Sequence, residues 1–244
     1  MTPDHALIIA FGAFAGGFVS GLAGFGTALT ALGIWLHVLE PTAAATLILI
    51  CAVIAQVQTI PAIWREIQPA RVLPFIIPGL LGVPLGLATL RYANPQSFKL
   101  AIGLLLVCFS TTMLYLRARP AIGWGGRPMD AAVGFAGGVL GGLAGLSGPA
   151  PTVWAILRGW SKDQKRSVFQ SFNLSILATA LLGQALTGQI TSSIAVPVAL
   201  ALPGTLLGAW LGVRTYRRLS DRNFNDLIMA MLLISGVTLV IAAH

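Results

Sequence analysis

Two glycine-rich stretches, each interrupting an apolar segment, limit what this chain can fold into. The first is Phe14-Ala15-Gly16-Gly17-Phe18-Val19-Ser20-Gly21-Leu22-Ala23-Gly24-Phe25-Gly26-Thr27, and the second is Phe135-Ala136-Gly137-Gly138-Val139-Leu140-Gly141-Gly142-Leu143-Ala144-Gly145-Leu146-Ser147-Gly148. They align without a gap at an offset of 121 residues, half of the 244-residue chain. A soluble helix would simply end at such a cluster. Inside a bilayer, a helix break is tolerated only where protein or a wet cavity satisfies the freed backbone groups. Matched breaks in two halves are a sequence pointer to a transporter's binding site.

The bilayer follows from composition. Of the residues, 56% are hydrophobic and 9% are charged, with a mean hydropathy of +0.85. Soluble domains carry about 25% charge. The net charge of +8 does not point to nucleic acid. The fifteen Lys and Arg residues fall at segment ends or in short connections, where membrane topology places them. Cys51 and Cys108 lie inside apolar runs and read as free buried thiols, without a disulfide or metal framework. Residues 6–21 lack a preceding basic region and read as a retained membrane segment rather than a signal peptide.

In the first half, residues 6–21 lead to a break expected at Gly21–Gly26 and a short apolar return over 27–38. Spans are predicted at 42–64, at 72–90 with kinks at Pro74, Pro78 and Pro84, and at 100–116. Residues 117–127 form the linker. The second half repeats this plan, with an apolar segment at 131–142, a break at 142–151 and a return at 152–157. A basic connection follows at 158–166, and spans follow at 168–186, 194–213 and 227–243. Pro78-Gly79-Leu80-Leu81 answers Pro203-Gly204-Thr205-Leu206, and Arg91 and Phe98 answer Arg217 and Phe224 at an offset of 126.

The expected fold is therefore all-α: a polytopic bundle of two structural repeats, 1–120 and 121–244. Each holds a broken helix or helical hairpin plus three spanning helices. Lys and Arg place 65–71, 117–127, 158–166 and 214–222 in the cytoplasm and the corner at 37–41 outside. If the broken segments are hairpins, each half crosses an odd number of times and the repeats are inverted. Arg91 and Lys99 then lie outside, against the rule. If each broken segment crosses once, the repeats are parallel.

A broken helix leaves free N–H groups where it restarts, with about half a positive charge there. Two such ends facing one another make an anion site that needs no buried cation. The candidate substrate-binding residues are Gly24, Phe25, Gly26 and Thr27 at the first break and Gly145, Leu146, Ser147, Gly148 and Pro149 at the second. Gln170 and Asn173, three apart on one helix face, add donors from the next span. Gln56, Gln58 and Thr46 are weaker counterparts. Gly16, Gly17, Ser20, Gly21, Gly138 and Gly142 have the small-xxx-small spacing of helix packing, and Phe25, Trp35 and Trp154 read as core or interface anchors. Trp64, Trp124 and Trp160 fit an aromatic belt.

All seven acidic residues fall at helix ends or in loops, which disfavours a cation or proton carrier. Paired catalytic carboxylates, a phosphate-binding loop and a histidine cluster are absent from the sequence. No enzyme, cofactor or metal is expected, and the partners are a small anion and the lipid bilayer, with no nucleic acid. The glycine-rich faces also admit a homodimer. A membrane scaffold whose glycines only pack helices is the competing reading.

The chain resembles the TauE/SafE family of anion exporters. The resemblance rests on Gly141 through Pro151, on Arg158-Gly159 and Lys162-Asp163-Gln164-Lys165-Arg166, and on the run Pro203 through Gly212. It covers the whole chain and departs from the family at Gly26-Thr27-Ala28, where many members carry a glycine triplet. It implies export of sulfite or an organosulfonate such as sulfoacetate across a bacterial inner membrane, with the anion at Gly24–Thr27 and Gly145–Pro149. Which anion, which coupling ion and which direction of flux stay open, as does another small oxyanion.

Overall fold

A computed structural model describes residues 3–92, 94–116 and 122–220, with isolated positions beyond. Linker residues 117–121 and most of the predicted closing span at 227–243 lie outside the described residues. The described chain is all-helical: α1 (Pro3–Ala23), α2 (Thr27–Trp35), α3 (Pro41–Thr59), α4 (Pro69–Arg91), α5 (Pro95–Leu116), α6 (Gly126–Ala144), α7 (Pro149–Leu157), α8 (Lys162–Leu186) and α9 (Ala195–Tyr216). Among the described residues, five helical segments are long and apolar enough to cross a membrane: Pro3–Ala23, Pro41–Ala62, Pro69–Leu90, Asp163–Leu186 and Ser192–Tyr216.

Both breaks are shorter than expected. The helices run on through Gly21 and Gly142, leaving only residues 24–26 and 145–148 outside them. These glycines serve packing instead. A Cβ on Gly17 or Gly21 would strike the backbone of Thr205 or Ala209 in α9, and one on Gly138 or Gly142 that of Gly79 or Val83 in α4. Backbones this close gain dispersion contacts that side chains would prevent. Pro149 and Pro151 lie in the first turn of α7, where proline sacrifices no helical hydrogen bond. α4 continues as one helix through Pro74, Pro78 and Pro84.

The glycine contacts also give chain direction. Gly204, Gly208 and Gly212 meet Ala10, Phe14 and Phe18 in rising order, so α1 and α9 are parallel. Gly134, Gly138 and Gly142 meet Phe75, Gly79 and Val83, so α6 and α4 are parallel too. The tightest pairs thus cross between the halves. α3 and α8 pack antiparallel: Thr46 bonds Gln184 at one end, while Gln56 and Thr59 receive Gln170 at the other.

Each short helix doubles back on its predecessor. Trp35 Nε1 at the end of α2 donates to Ile9 O early in α1, 3.1 Å away, while Gly16 lies against Thr27 and Ala31. Trp154 Nε1 in α7 donates to Asp130 at the start of α6 at 2.6 Å, and Gly137 and Gly141 lie against Ser147. Trp35 is thus a core anchor and Trp154 ties down a hairpin. Trp64 and Trp124 are exposed, as a belt requires, whereas Trp160 is half-buried against Phe75. Cys51 is buried but Cys108 is exposed, correcting its reading as a buried thiol.

Candidate functional site: the junction of two helix breaks

Gly24, Gly26 and Gly145 have φ of +77°, +106° and +69°, a region in which side chains are strained. They turn the chain at the two breaks, and the fold brings those breaks together. Phe25 covers Gly148, so that a Cβ there would land on the ring. Gly145 lies against Ile48 and Ala28. Phe25 meets Phe169 edge-to-face at 5.1 Å between centroids, and Leu146 is buried beside them in the same core.

Polar side chains from α3 and α8 close around the junction. Asn173 donates from Nδ2 to Gly24 O at 3.1 Å, and its Oδ1 accepts from the Ser147 hydroxyl. One side chain therefore ties both breaks. Gln56 Nε2 donates to the same Gly24 carbonyl at 2.8 Å and to Ser20 Oγ at 3.3 Å. Gln170 Nε2 donates to Thr59 Oγ1 at 2.7 Å and to Gln56 O at 3.4 Å. Two buried oxygens, Thr27 Oγ1 and Gln56 Oε1, have no hydrogen-bond partner among the described residues. Such a group costs about 1–3 kcal/mol when left unsatisfied, so this side of the junction has unused capacity for a ligand or water. Of the weaker counterparts, Gln58 is exposed and bonds Leu206 O, and Thr46 bonds Gln184, away from the breaks.

The two restarting helices are not equal donors. A helix leaves its first N–H groups without intrahelical partners. In α2 these belong to Thr27, Ala28 and Leu29, and Thr30 is the first to bond back, to Gly26 O. In α7 the corresponding positions are Pro149, Ala150 and Pro151, so Ala150 alone supplies an N–H before Thr152 bonds Gly148 O. The second break offers the Ala150 N–H and the Ser147 hydroxyl, whose hydrogen goes to Asn173 Oδ1 in this structure.

One residue expected in a cytoplasmic connection, Arg166, is instead a buried cation beside the first break. Residues 158–166 were expected to be a basic connection, but Ser161 and Gln164 form a capping box that starts α8 at Lys162. Arg166 is then helical and fully buried. Its Nη2 donates to Gly21 O at 2.7 Å, Nη1 to Leu22 O at 3.3 Å and Nε to Gln170 Oε1 at 3.4 Å. Its guanidinium also lies 3.9 Å from the centroid of Tyr216, whose hydroxyl donates to Asp163. The guanidinium caps the C-terminal carbonyls of α1, where the helix carries about half a negative charge. A Cβ on Gly24 would touch Arg166 Cγ at 3.2 Å and Gln170 Cβ at 3.3 Å, so the cation borders the first break.

At the repeat offset, Arg166, Gln170, Asn173 and Gln56 correspond to Ala45, Leu49, Ala52 and Leu177. The breaks are duplicated, while the polar cluster is built once, around the first of them. A fixed cation, amide and hydroxyl groups and a sparsely hydrogen-bonded helix start have the chemistry to hold an anion.

Apolar helices, paired hairpins and this cluster together define a multi-pass membrane protein of the transporter class. The model of the sulfite exporter TauE/SafE family matches residues 8–239, and the chain belongs to that family. No curated protein matches the sequence.

Proposed function

We propose that the protein exports a small sulfur oxyanion, sulfite or an organosulfonate such as sulfoacetate, across a bacterial cytoplasmic membrane by alternating access. The observation that carries this reading is the junction itself, where Asn173 and Ser147 join two helix breaks beside buried Arg166. Membership of an anion exporter family supports it.

In this reading, residues 1–120 and 121–244 are inverted repeats. The antiparallel packing of α3 and α8, equivalent helices of the two halves, supports inversion, because a parallel duplication would leave them parallel. The moving bodies are α1, α2 and α9 on one side and α4, α6 and α7 on the other, rocking about α3 and α8. The anion lies against the α2 amides, Arg166 and the Ser147 hydroxyl, at the expected positions Gly24–Thr27, Gly145–Pro149, Gln170 and Asn173. A homodimer would need a surface other than the Gly17, Gly21, Gly138 and Gly142 faces, which are filled within the chain.

The test is a thermal-shift panel of purified protein with sulfite, sulfate, thiosulfate, sulfoacetate, phosphate and acetate, paired with flux into proteoliposomes. A substrate at 100 times its Kd should add about 2.7 kcal/mol of stability. Ser147→Ala removes one donor, worth about 1.5–3 kcal/mol to an anion, and should lower transport about tenfold or more while the protein still folds. Wild-type flux from a folded Ser147→Ala protein would mean that the anion sits elsewhere.

A further inference from the structure

Between the C-terminal ends of α3 and α9 lies a cavity of about 420 Å³, lined by Gln58, Thr59, Trp210, Arg214 and Arg217, among others. Neither arginine side chain hydrogen-bonds or ion-pairs with a described residue, and Arg214 lies flat over Trp210 at 3.6 Å. Among the described residues, no acidic side chain lines the cavity. At the other end of α3 a smaller cavity of about 160 Å³ is lined by Thr42, Thr46, Gln189, Thr191 and Ser193, polar but uncharged. The charge is confined to one end.

The floor of the basic cavity connects to the junction. Thr59 lines the cavity yet is nearly buried, and its Oγ1 accepts from Gln170 Nε2 at 2.7 Å. Gln170 in turn accepts from Arg166. Thr59 and Gln170 therefore link the lining of the cavity, with its two guanidinium groups, to the buried guanidinium of Arg166. Guanidinium groups bind oxyanions through paired N–H donors, and cationic clefts raise the local anion concentration.

We infer that this cavity is the anion-collecting vestibule of the transporter, in which a small oxyanion binds between Arg214 and Arg217 before passing Thr59 and Gln170 toward Arg166. The inference rests on the proposed role of the junction. Its ligand is an oxyanion, and a free anion or the phosphate of a lipid headgroup would present the same chemistry.

Trp210 supplies the readout, because an anion that draws Arg214 off the indole changes its fluorescence. Wild-type protein and a Trp210→Phe control would be titrated with sulfite in nanodiscs of phosphatidylcholine alone and with added phosphatidylglycerol. The expected result is a saturable Trp210 change in phosphatidylcholine, with affinity reduced about tenfold in Arg214→Gln and Arg217→Gln. In proteoliposomes the same variants should raise KM about tenfold and leave the maximal rate within about twofold, as expected for loss of uniform binding. Ser147→Ala should lose flux and keep the Trp210 response, which separates the vestibule from the junction. A signal moved by phosphatidylglycerol but not by sulfite would make the cavity a lipid site and overturn the inference. So would an unchanged KM in both arginine variants. A sulfite response that depends on both arginines, in a wild-type protein carrying no sulfur anion, would uphold the vestibule and sink the proposed function.

Discussion

Gly138→Val is expected to destabilise the protein by about 3 kcal/mol, the upper part of the usual overpacking range. For a chain of this size that lowers the unfolding midpoint by about 6–12 °C. The reason is the crossing of α6 on α4. A Cβ at Gly138 would overlap the backbone of Gly79, and Gly82 and Gly86 meet Phe135 and Val139 across the same seam. Backbone cannot rotate aside as a side chain can, so the helices must separate and lose contacts along the seam. The stiffer unfolded chain of the variant returns only about 0.5–1 kcal/mol. Gly123→Ala is the control, because among the described residues no heavy atom beyond its chain neighbours lies within 4 Å of the added Cβ. Thermal unfolding of the two variants in detergent decides the matter. Equal midpoints would show that the seam does not hold the bundle together.

Gly138 and Gly142 were legible as packing residues, because glycines four residues apart recur at one offset in both halves, but nothing in the sequence paired them with Gly79 and Val83 of α4. What the pattern could not separate was packing from breaking. Gly21 and Gly142 look like breakers, yet they stay helical because a facing backbone needs their missing side chains. Gly24 and Gly145 do break the helix, because the chain must turn there with positive φ. Asn173 was expected to add a donor from the next span, but its contact with Ser147 follows from the fold, since the equivalent residue of the first half is Ala52. Arg166 was missed because counting charge assigns every arginine near a connection to the water side. The signal was present in the capping box of Ser161 and Gln164. It starts α8 at Lys162 and so puts Arg166, Gln170 and Asn173 at i, i+4 and i+7, on one face. Capping chemistry locates a helix start more sharply than hydropathy does. The opposite error affected α7, where two prolines keep the helix but remove most of the amide donors expected of its first turn.

Arg166→Gln is expected to abolish most transport while leaving a folded protein. Glutamine keeps one donor for Gly21 O or Leu22 O but no charge. Loss of a charge-assisted contact worth about 1.5–3 kcal/mol weakens anion affinity by about 10- to 100-fold. Two roles must be separated, because Arg166 also caps α1 through those carbonyls. A cap alone predicts a lower unfolding midpoint with anion-induced stabilisation unchanged. An anion ligand predicts that stabilisation by sulfite disappears at concentrations that shift the wild-type protein, whatever the resting midpoint. Arg166→Lys keeps the charge without the planar fork, and should restore part of the sulfite shift but little of the capping. Sulfite titrations of both variants, followed by thermal unfolding and by flux, give the comparison. If Arg166→Gln is folded and still stabilised by sulfite at wild-type concentrations, Arg166 is a structural cap, and the anion is bound by the α2 amides and the Ser147 hydroxyl alone.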